Sequence, residues 1–148
     1  MTDSLNTPEK KAETLRWLQG FHAASDSLDS TEFVQNYFTE DAVVQFGNNP
    51  VVKAHGPFIE IQSQRLKVLE SMSHEVVSFD ILPDKIYQVA SVTYKVKNDP
   101  SGEAIVIPGL AVFYKALEDS KINRFEVYID ISPVFKRAQE IAAVASQV

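Results

Sequence analysis

The residues from Asp41 to Pro57, DAVVQFGNNPVVKAHGP, decide how the rest of the chain is arranged. Apolar residues in Ala42–Phe46 indicate a short strand, and the Gly-Asn-Asn-Pro sequence after it is typical of a turn. A second extended piece covers Val51–His55, and Gly56-Pro57 starts a helix, because proline fits the first helical turn. Helical patterns precede this stretch and strand patterns follow it. We therefore expect it to border a pocket between helices and sheet.

On either side of this stretch the sequence predicts helices at both ends and strands between them. Thr7-Pro8-Glu9 and the capping-box sequence Asp29–Glu32 start two helices, separated by a polar break at Ala24–Asp29. The third helix runs for about 15 residues from Gly56, with Leu69 and Met72 on its apolar side and Arg65 solvated. Four strands then follow, at Glu75–Leu82, Ile86–Lys97, Ala104–Leu117 and Ile122–Ile131, and Pro133 opens a last helix.

This order predicts a single α+β domain over residues 1–148, with its core at about 8–133 and a tail helix at about 134–147. In this domain, a curved antiparallel sheet wraps around the three N-terminal helices and leaves a cavity between the sheet and the helices. The tail helix has an apolar stripe that must be buried. It would cap the cavity mouth, pack across a dimer or fray, and packing on its own sheet or on a partner subunit is the preferred alternative.

The composition excludes several classes of partner. The chain of 148 residues has a net charge of −6, which opposes binding to nucleic acid or to an anionic membrane. It contains no cysteine, so disulfides, thiolate metal sites and cysteine nucleophiles are absent. The first residues are polar and no apolar run reaches membrane-spanning length, so we expect a cytoplasmic protein without a membrane partner.

Three segments resemble the nuclear transport factor 2-like superfamily, and within it the SnoaL-like branch. They are YFTEDAVVQFGNNP at 37–50, GPFI at 56–59 and KINRFEVYIDISP at 121–133, and the resemblance extends from about Ala12 to Pro133. It implies the cone-shaped α+β fold. The superfamily includes isomerases, cyclases, dehydratases, epoxide hydrolases and members without known catalysis, so the resemblance does not choose a reaction.

The resemblance also indicates which family mechanisms are missing. The two acids of ketosteroid isomerases fall on Phe46 and Val112 of this sequence. The Arg-Asp pair of limonene epoxide hydrolases falls on Val92 and Tyr94, and their second Asp on Val127. Without these carboxylates neither mechanism is expected, and no metal or organic cofactor is implied.

Alternation along the strands predicts a mostly apolar pocket. Phe46 is expected to face inward, and Phe125 and Val127 share the inner face of the last strand. The expected ligand-binding residues are Trp17, Phe21, Phe38, Phe46, Asn48, Tyr94, Leu110, Val112, Phe125 and Val127.

Three polar residues are the candidates for chemistry in this pocket. Tyr94 and Asn48 would polarise a ligand oxygen, and His22 would accept a proton. Each has a structural alternative: Asn48 belongs to a turn, Tyr94 to the core, and no carboxylate is spaced to orient His22. His55 and His74 are interpreted as rim and structural residues, and three scattered histidines without clustered acids predict no metal site.

Two functions remain open at this point. The first is an enzyme, an isomerase, cyclase or dehydratase that acts on polyketide- or terpenoid-like molecules. The second is a non-catalytic ligand-binding or protein-interaction module that has lost the acids of the family. In either case Phe113 and Tyr128, expected on the outer face of the sheet, predict a homodimer.

Overall fold

Four helices and six strands make up residues 3–146, the part of the chain that the computed structural model describes. In chain order they are α1 (Pro8–Asp26), α2 (Ser30–Tyr37), β1 (Phe38–Phe46), β2 (Val52–Lys53), α3 (His55–Leu66), β3 (Leu69–Ile81), β4 (Ile86–Val96), β5 (Ile105–Tyr114), β6 (Ile122–Ile129) and α4 (Ser132–Ala145). The expected α+β class is confirmed. None of these helices is long and apolar enough to cross a membrane.

All six strands belong to one open sheet, in the order β2-β1-β6-β5-β4-β3. The sheet is mixed, because β1 runs parallel to β6, whereas every other neighbouring pair is antiparallel. The expectation of a wholly antiparallel sheet was therefore wrong. Side-chain alternation is the same in both kinds of pairing, so the sequence pattern carries no information on strand direction.

The first two helices begin where their capping residues predicted. Thr7 Oγ1 accepts a hydrogen bond from the Lys10 N–H at 3.3 Å, and Asp29 Oδ1 accepts one from the Glu32 N–H at 3.1 Å. However, α1 continues through the first three residues of the expected polar break and ends at Asp26, so the break is confined to residues 27–29. The polar residues there are helical because they contact the sheet, as described below for Asp26.

The boundary between α3 and β3 also differs from the expectation. Helix α3 has 12 residues, and β3 starts at Leu69, six positions before the predicted strand. Leu69 pairs with Val96 and Met72 pairs with Tyr94, so residues expected on a helix belong to the sheet. Their apolar spacing suits a helix, but pairing with the long strand β4 determines the conformation.

The core consists of two clusters. In the first, the ring of Phe21 has its centroid 4.9–5.7 Å from seven other rings, those of Trp17, His22, Phe33, Tyr37, Phe38, Phe113 and Phe125. The second cluster lies under α4 and contains Leu69, Met72, Val92, Tyr94, Val96, Ile107 and Val134.

The tail helix packs on its own sheet rather than fraying. Val134 is buried in the second cluster, and the Arg137 Nε donates to Asp99 Oδ2 at 2.9 Å, which fastens α4 to the turn between β4 and β5. Ile131, Val134 and Phe135 also line the cavity described next, so α4 forms part of its wall.

Candidate functional site

A cavity of about 120 Å³ lies between the helices and the concave face of the sheet. This volume would hold about four water molecules at the density of liquid water. Most of its wall is apolar and comes from all four helices, the end of β1 and the inner positions of β3–β6. The apolar lining includes Phe21, Phe46, Phe58, Leu66, Leu69, Met72, Ala90, Val92, Ala111, Phe125, Val127 and Val134.

The structure brings about half of the sequence-predicted ligand residues to this cavity. Five of them line it directly, namely Phe21, Phe46, Tyr94, Phe125 and Val127. Leu110 also borders it, but Leu110 pairs with exposed Val89 and Tyr128, which places its side chain on the outer face of the sheet.

Trp17 and Phe38 were expected at the cavity and are packed elsewhere in the core. Trp17 lies one helical turn before Phe21, stacks on its ring at 5.4 Å, and donates its indole N–H to the Ser120 carbonyl at 2.9 Å. Phe38 is fully buried and meets the ring of Phe58 at 4.9 Å. Both side chains support the first cluster without reaching the cavity wall.

The two faces of β5 are exchanged relative to the sequence expectation. Phe113, expected outside, is fully buried, pairs with Phe125 and contacts Phe21. Val112, expected inside, pairs with Tyr87 and Glu126 on the outer face. Val112 is nevertheless only 4% exposed, because its neighbours on the outer face cover it. Both faces of this strand are apolar, so alternation could not select the inner one.

Asn48 is an exposed turn residue and lies outside the cavity. Gly47 has a φ of +56°, which suits a residue without a β-carbon, and the Asn49 N–H donates to the Phe46 carbonyl at 3.0 Å. The Asn49 side chain donates to the same carbonyl at 2.8 Å. The Gly-Asn-Asn-Pro sequence is thus explained by its turn.

Four polar side chains line the cavity without a side-chain hydrogen-bond partner among residues 3–146: Ser25, Gln62, Arg65 and Tyr94. Burial raises the pKa of Tyr94 to about 12, an effect reinforced by the charge of Asp26 and opposed by that of Arg65. Burial also lowers the pKa of Arg65, whose guanidinium lies 4.1 Å from the ring centroid of Phe46. Arg65 was expected in solvent, but the curved sheet turns this side of α3 toward the cavity.

His22 is buried and neutral. Its Nε2–H donates to Gln88 Oε1 at 2.7 Å, and its Nδ1 is sealed from solvent without a partner in the described part of the chain. Burial lowers the pKa of His22 to about 4, with a further lowering by His74, and the Gln88 bond opposes both. An imidazole with this pKa and no accessible lone pair is a weak proton acceptor at neutral pH.

The structure places a second histidine at the cavity, His74, which the sequence analysis interpreted as a structural residue. His74 Nδ1 lies 2.6 Å from Asp26 Oδ1, and the His74 backbone N–H donates to Asp26 Oδ2 at 2.9 Å. The ring of His74 stacks on that of His22, with centroids 4.5 Å apart and planes 10° from parallel. The sequence held a partial indication of a carboxylate near these histidines, because Asp26 follows His22 by four residues and so shares its helix face.

The described residues include no group of three histidine, cysteine, aspartate or glutamate side chains that could hold a metal ion. The polar groups at the cavity are instead suited to hydrogen bonding and proton transfer. Arg65 offers a positive charge, Tyr94 and Gln62 offer neutral donors, and the His74–Asp26 pair offers a base.

Comparison with known proteins identifies the fold. No protein-family model matches the sequence, and no curated protein sequence matches it either. Solved structures do match. A protein from Jannaschia sp. CCS1 assigned as a SnoaL-like polyketide cyclase is 16% identical with a TM-score of 0.69, over 93% of this chain and 96% of that one.

Two further structures extend this likeness. PrhC from Penicillium brasilianum is 10% identical with a TM-score of 0.72, over 93% of this chain and 92% of that one. An LEH-like epoxide hydrolase from M. tuberculosis is 13% identical with a TM-score of 0.63, over 93% of this chain and 98% of that one. The chain therefore has the nuclear transport factor 2-like cone fold, and the resemblance noted in the sequence is confirmed at the level of the fold.

Proposed function

We propose that the cone binds a small, mostly apolar molecule that carries an acidic or carbonyl oxygen, and that this oxygen lies against Arg65 and Tyr94. The supporting observation is that these two side chains and Gln62 present unpaired polar groups to an apolar cavity. Buried polar groups in proteins are nearly always hydrogen-bonded. A ligand oxygen would satisfy them and place its charge beside the Arg65 guanidinium.

The same arrangement favours an enzyme over a passive binder. Arg65 and Tyr94 would stabilise negative charge that develops on a ligand oxygen when an adjacent proton is removed. Isomerisation, cyclisation and dehydration of polyketide- or terpenoid-like molecules all include such a step. The polyketide cyclase and epoxide hydrolase names among the structural neighbours support this class of chemistry.

A non-catalytic ligand-binding module is the second candidate. It is supported by the apolar residues Phe46, Val92 and Val127, which occupy positions where related enzymes carry catalytic groups. The two candidates differ at one observable point, which is whether a bound molecule is converted to a product. A binding module would release its ligand chemically unchanged.

Replacement of Arg65 by methionine tests the proposed oxygen site. We expect wild-type protein to bind 2-naphthoate more tightly than naphthalene, and Arg65→Met to weaken naphthoate binding at least tenfold, about 1.4 kcal/mol. Naphthalene binding should not change, because methionine keeps an apolar stem. Isothermal titration calorimetry measures both affinities.

Arg16→Met is the matched control, because Arg16 is exposed on α1, and it should bind both compounds like the wild type. If neither compound binds to wild-type protein, the small-molecule function is wrong. If Arg65→Met binds naphthoate normally, the cavity binds ligands but Arg65 does not receive their oxygen.

We also propose that the outer face of the sheet joins two copies of the chain. Val89, Leu110 and Tyr128 are in register on three neighbouring strands and are 40%, 37% and 44% exposed. Arg124 and Glu126 place both signs of charge beside this apolar strip, which suits a surface that meets a copy of itself. Phe113 takes no part, because it is buried.

Leu110→Asp should convert the dimer to a monomer, because it places a charge at the centre of the strip. Sedimentation equilibrium would measure the change in mass. Val144→Asp is the control, since Val144 is an exposed apolar residue on α4, away from the strip. A wild-type protein that sediments as a monomer would contradict the proposal.

A further inference from the structure

We propose that His74, held by Asp26, is the proton acceptor of the cavity, and that its ligand carries an acidic hydrogen on a hydroxyl group or on carbon beside a carbonyl. This inference rests on the proposed small-molecule function and assigns the chemistry at the same site. It moves the base from His22, where the sequence placed it, to a residue on β3.

The Asp26 carboxylate determines which nitrogen of His74 is basic. It lies 2.6 Å from Nδ1, so Nδ1 carries the hydrogen and donates it to Oδ1. Asp26 Oδ2 accepts the His74 backbone N–H, which fixes the carboxylate in place. The remaining nitrogen, Nε2, bonds to no residue of the described chain and keeps its lone pair. A histidine oriented in this way by a carboxylate is a general base.

The position of the His74–Asp26 pair also provides a route for release of the proton to solvent. His74 lines the cavity, and His74 and Asp26 both line a separate open hollow between α1 and β3. The hollow is bordered by Gln19, Ala23 and Glu75. The pair thus lies between the apolar cavity and the hollow. A proton accepted from a ligand in the cavity can therefore be released into the hollow, away from the ligand.

Groups in the site account for each bond that breaks or forms in the proposed proton transfer. The ligand O–H or C–H bond breaks, its electrons remain on the ligand, and a new N–H bond forms at Nε2. The ligand anion is then stabilised by the Arg65 cation, and the imidazolium by Asp26. The proton either returns from Nε2 to another ligand atom, which is an isomerisation, or Nδ1 releases a proton through Asp26 to water in the hollow.

His22 supports His74 without exchanging protons itself. Its neutral ring covers one face of the His74 ring, and its Nε2 is engaged by Gln88. The charged and titratable groups around His74 are Asp26 and His22 from α1, Glu75 on β3, Arg65 on α3 and Tyr94 on β4. Of these, only Asp26 makes a hydrogen bond to the His74 ring, so Asp26 is the group that orients it.

Binding of 4-nitrophenol tests the assignment, because its phenolate is yellow and its phenol is not. We expect the bound probe to ionise at least one pH unit lower than the free probe. Asp26→Asn should remove most of this shift, because the amide no longer stabilises the imidazolium. Glu75→Gln is the matched control: it alters an exposed carboxylate at the same hollow that makes no bond to His74, and should leave the shift unchanged.

Two measurements distinguish a failure of the His74 assignment from a failure of the proposed ligand-binding function. Equilibrium dialysis reports whether the probe binds at all, and ¹⁵N NMR of His74 reports whether both ring nitrogens become protonated when it binds. The NMR measurement uses wild-type protein, so it shows whether His74 accepts the proton even if Asp26→Asn does not fold. If the probe binds but His74 stays neutral, the inference is wrong and ligand binding stands. If the probe does not bind, the proposed function fails as well.

Discussion

The free energy of unfolding should fall by about 3 kcal/mol when the pH is lowered from 6.5 to 4, because folding keeps His22 neutral. Burial, and to a lesser extent His74, lowers the pKa of His22 to about 4 in the folded protein, while the unfolded chain retains a value near 6.5. Between these two values the unfolded state binds more protons. The contribution is therefore fully present above pH 6.5 and is lost as the pH falls toward 4.

Urea unfolding at a series of pH values measures this dependence. His22→Gln should remove most of the slope between pH 6.5 and 4, since glutamine does not titrate and can still bond to Gln88. His55→Gln is the control, because His55 lies at the start of α3 and bonds the Phe38 carbonyl instead. A slope in His22→Gln as steep as in the wild type would show that His22 is not the buried neutral group.

Phe21→Ala should cost about 4 kcal/mol of stability, the largest loss we expect from a single substitution in this chain. The Phe21 ring is 2% exposed and touches rings from α1, α2, β1, β5 and β6. Its removal leaves a void that these elements cannot fill together, because each is fixed by its own hydrogen bonds. The expected change is a lower urea midpoint with an unchanged slope of free energy against urea.

Phe135→Ala is the matched control for this substitution. Phe135 also borders the cavity, but it lies on α4 and is 37% exposed, so its loss should cost less than about 1 kcal/mol. Similar losses in the two variants would contradict the view that the ring cluster, rather than the cavity wall in general, holds the fold together.

Some of this structure could be predicted from the sequence because the signals are local. The caps at Thr7 and Asp29 fix two helix starts, and the alternation of β6 places Phe125 and Val127 on the inner face. On β5 the same rule failed, because Val112 and Phe113 are both apolar and both buried. Alternation selects a face only when one of the two faces is polar.

The His74–Asp26 pair could not be predicted from the sequence, because it depends on a contact between distant segments. His74 and Asp26 are 48 positions apart in the sequence, and they meet only because α1 extends farther and β3 starts earlier than their sequences indicate. Arg65 was missed for a related reason. A charged residue on a helix is usually solvated, and only the curvature of the sheet encloses it.

The parallel pairing of β1 with β6 affects how the chain is made as well as how it is folded. Phe38 pairs with Ile122, so β1 leaves the ribosome about 80 residues before its main neighbour, a delay of roughly 4–16 s at ordinary rates of synthesis. Of the two described strands that pair with β1, only the short β2 has been made during that time. The first 70 residues are thus a nascent segment with an open strand edge, for which a chaperone would be useful until the C-terminal strands emerge.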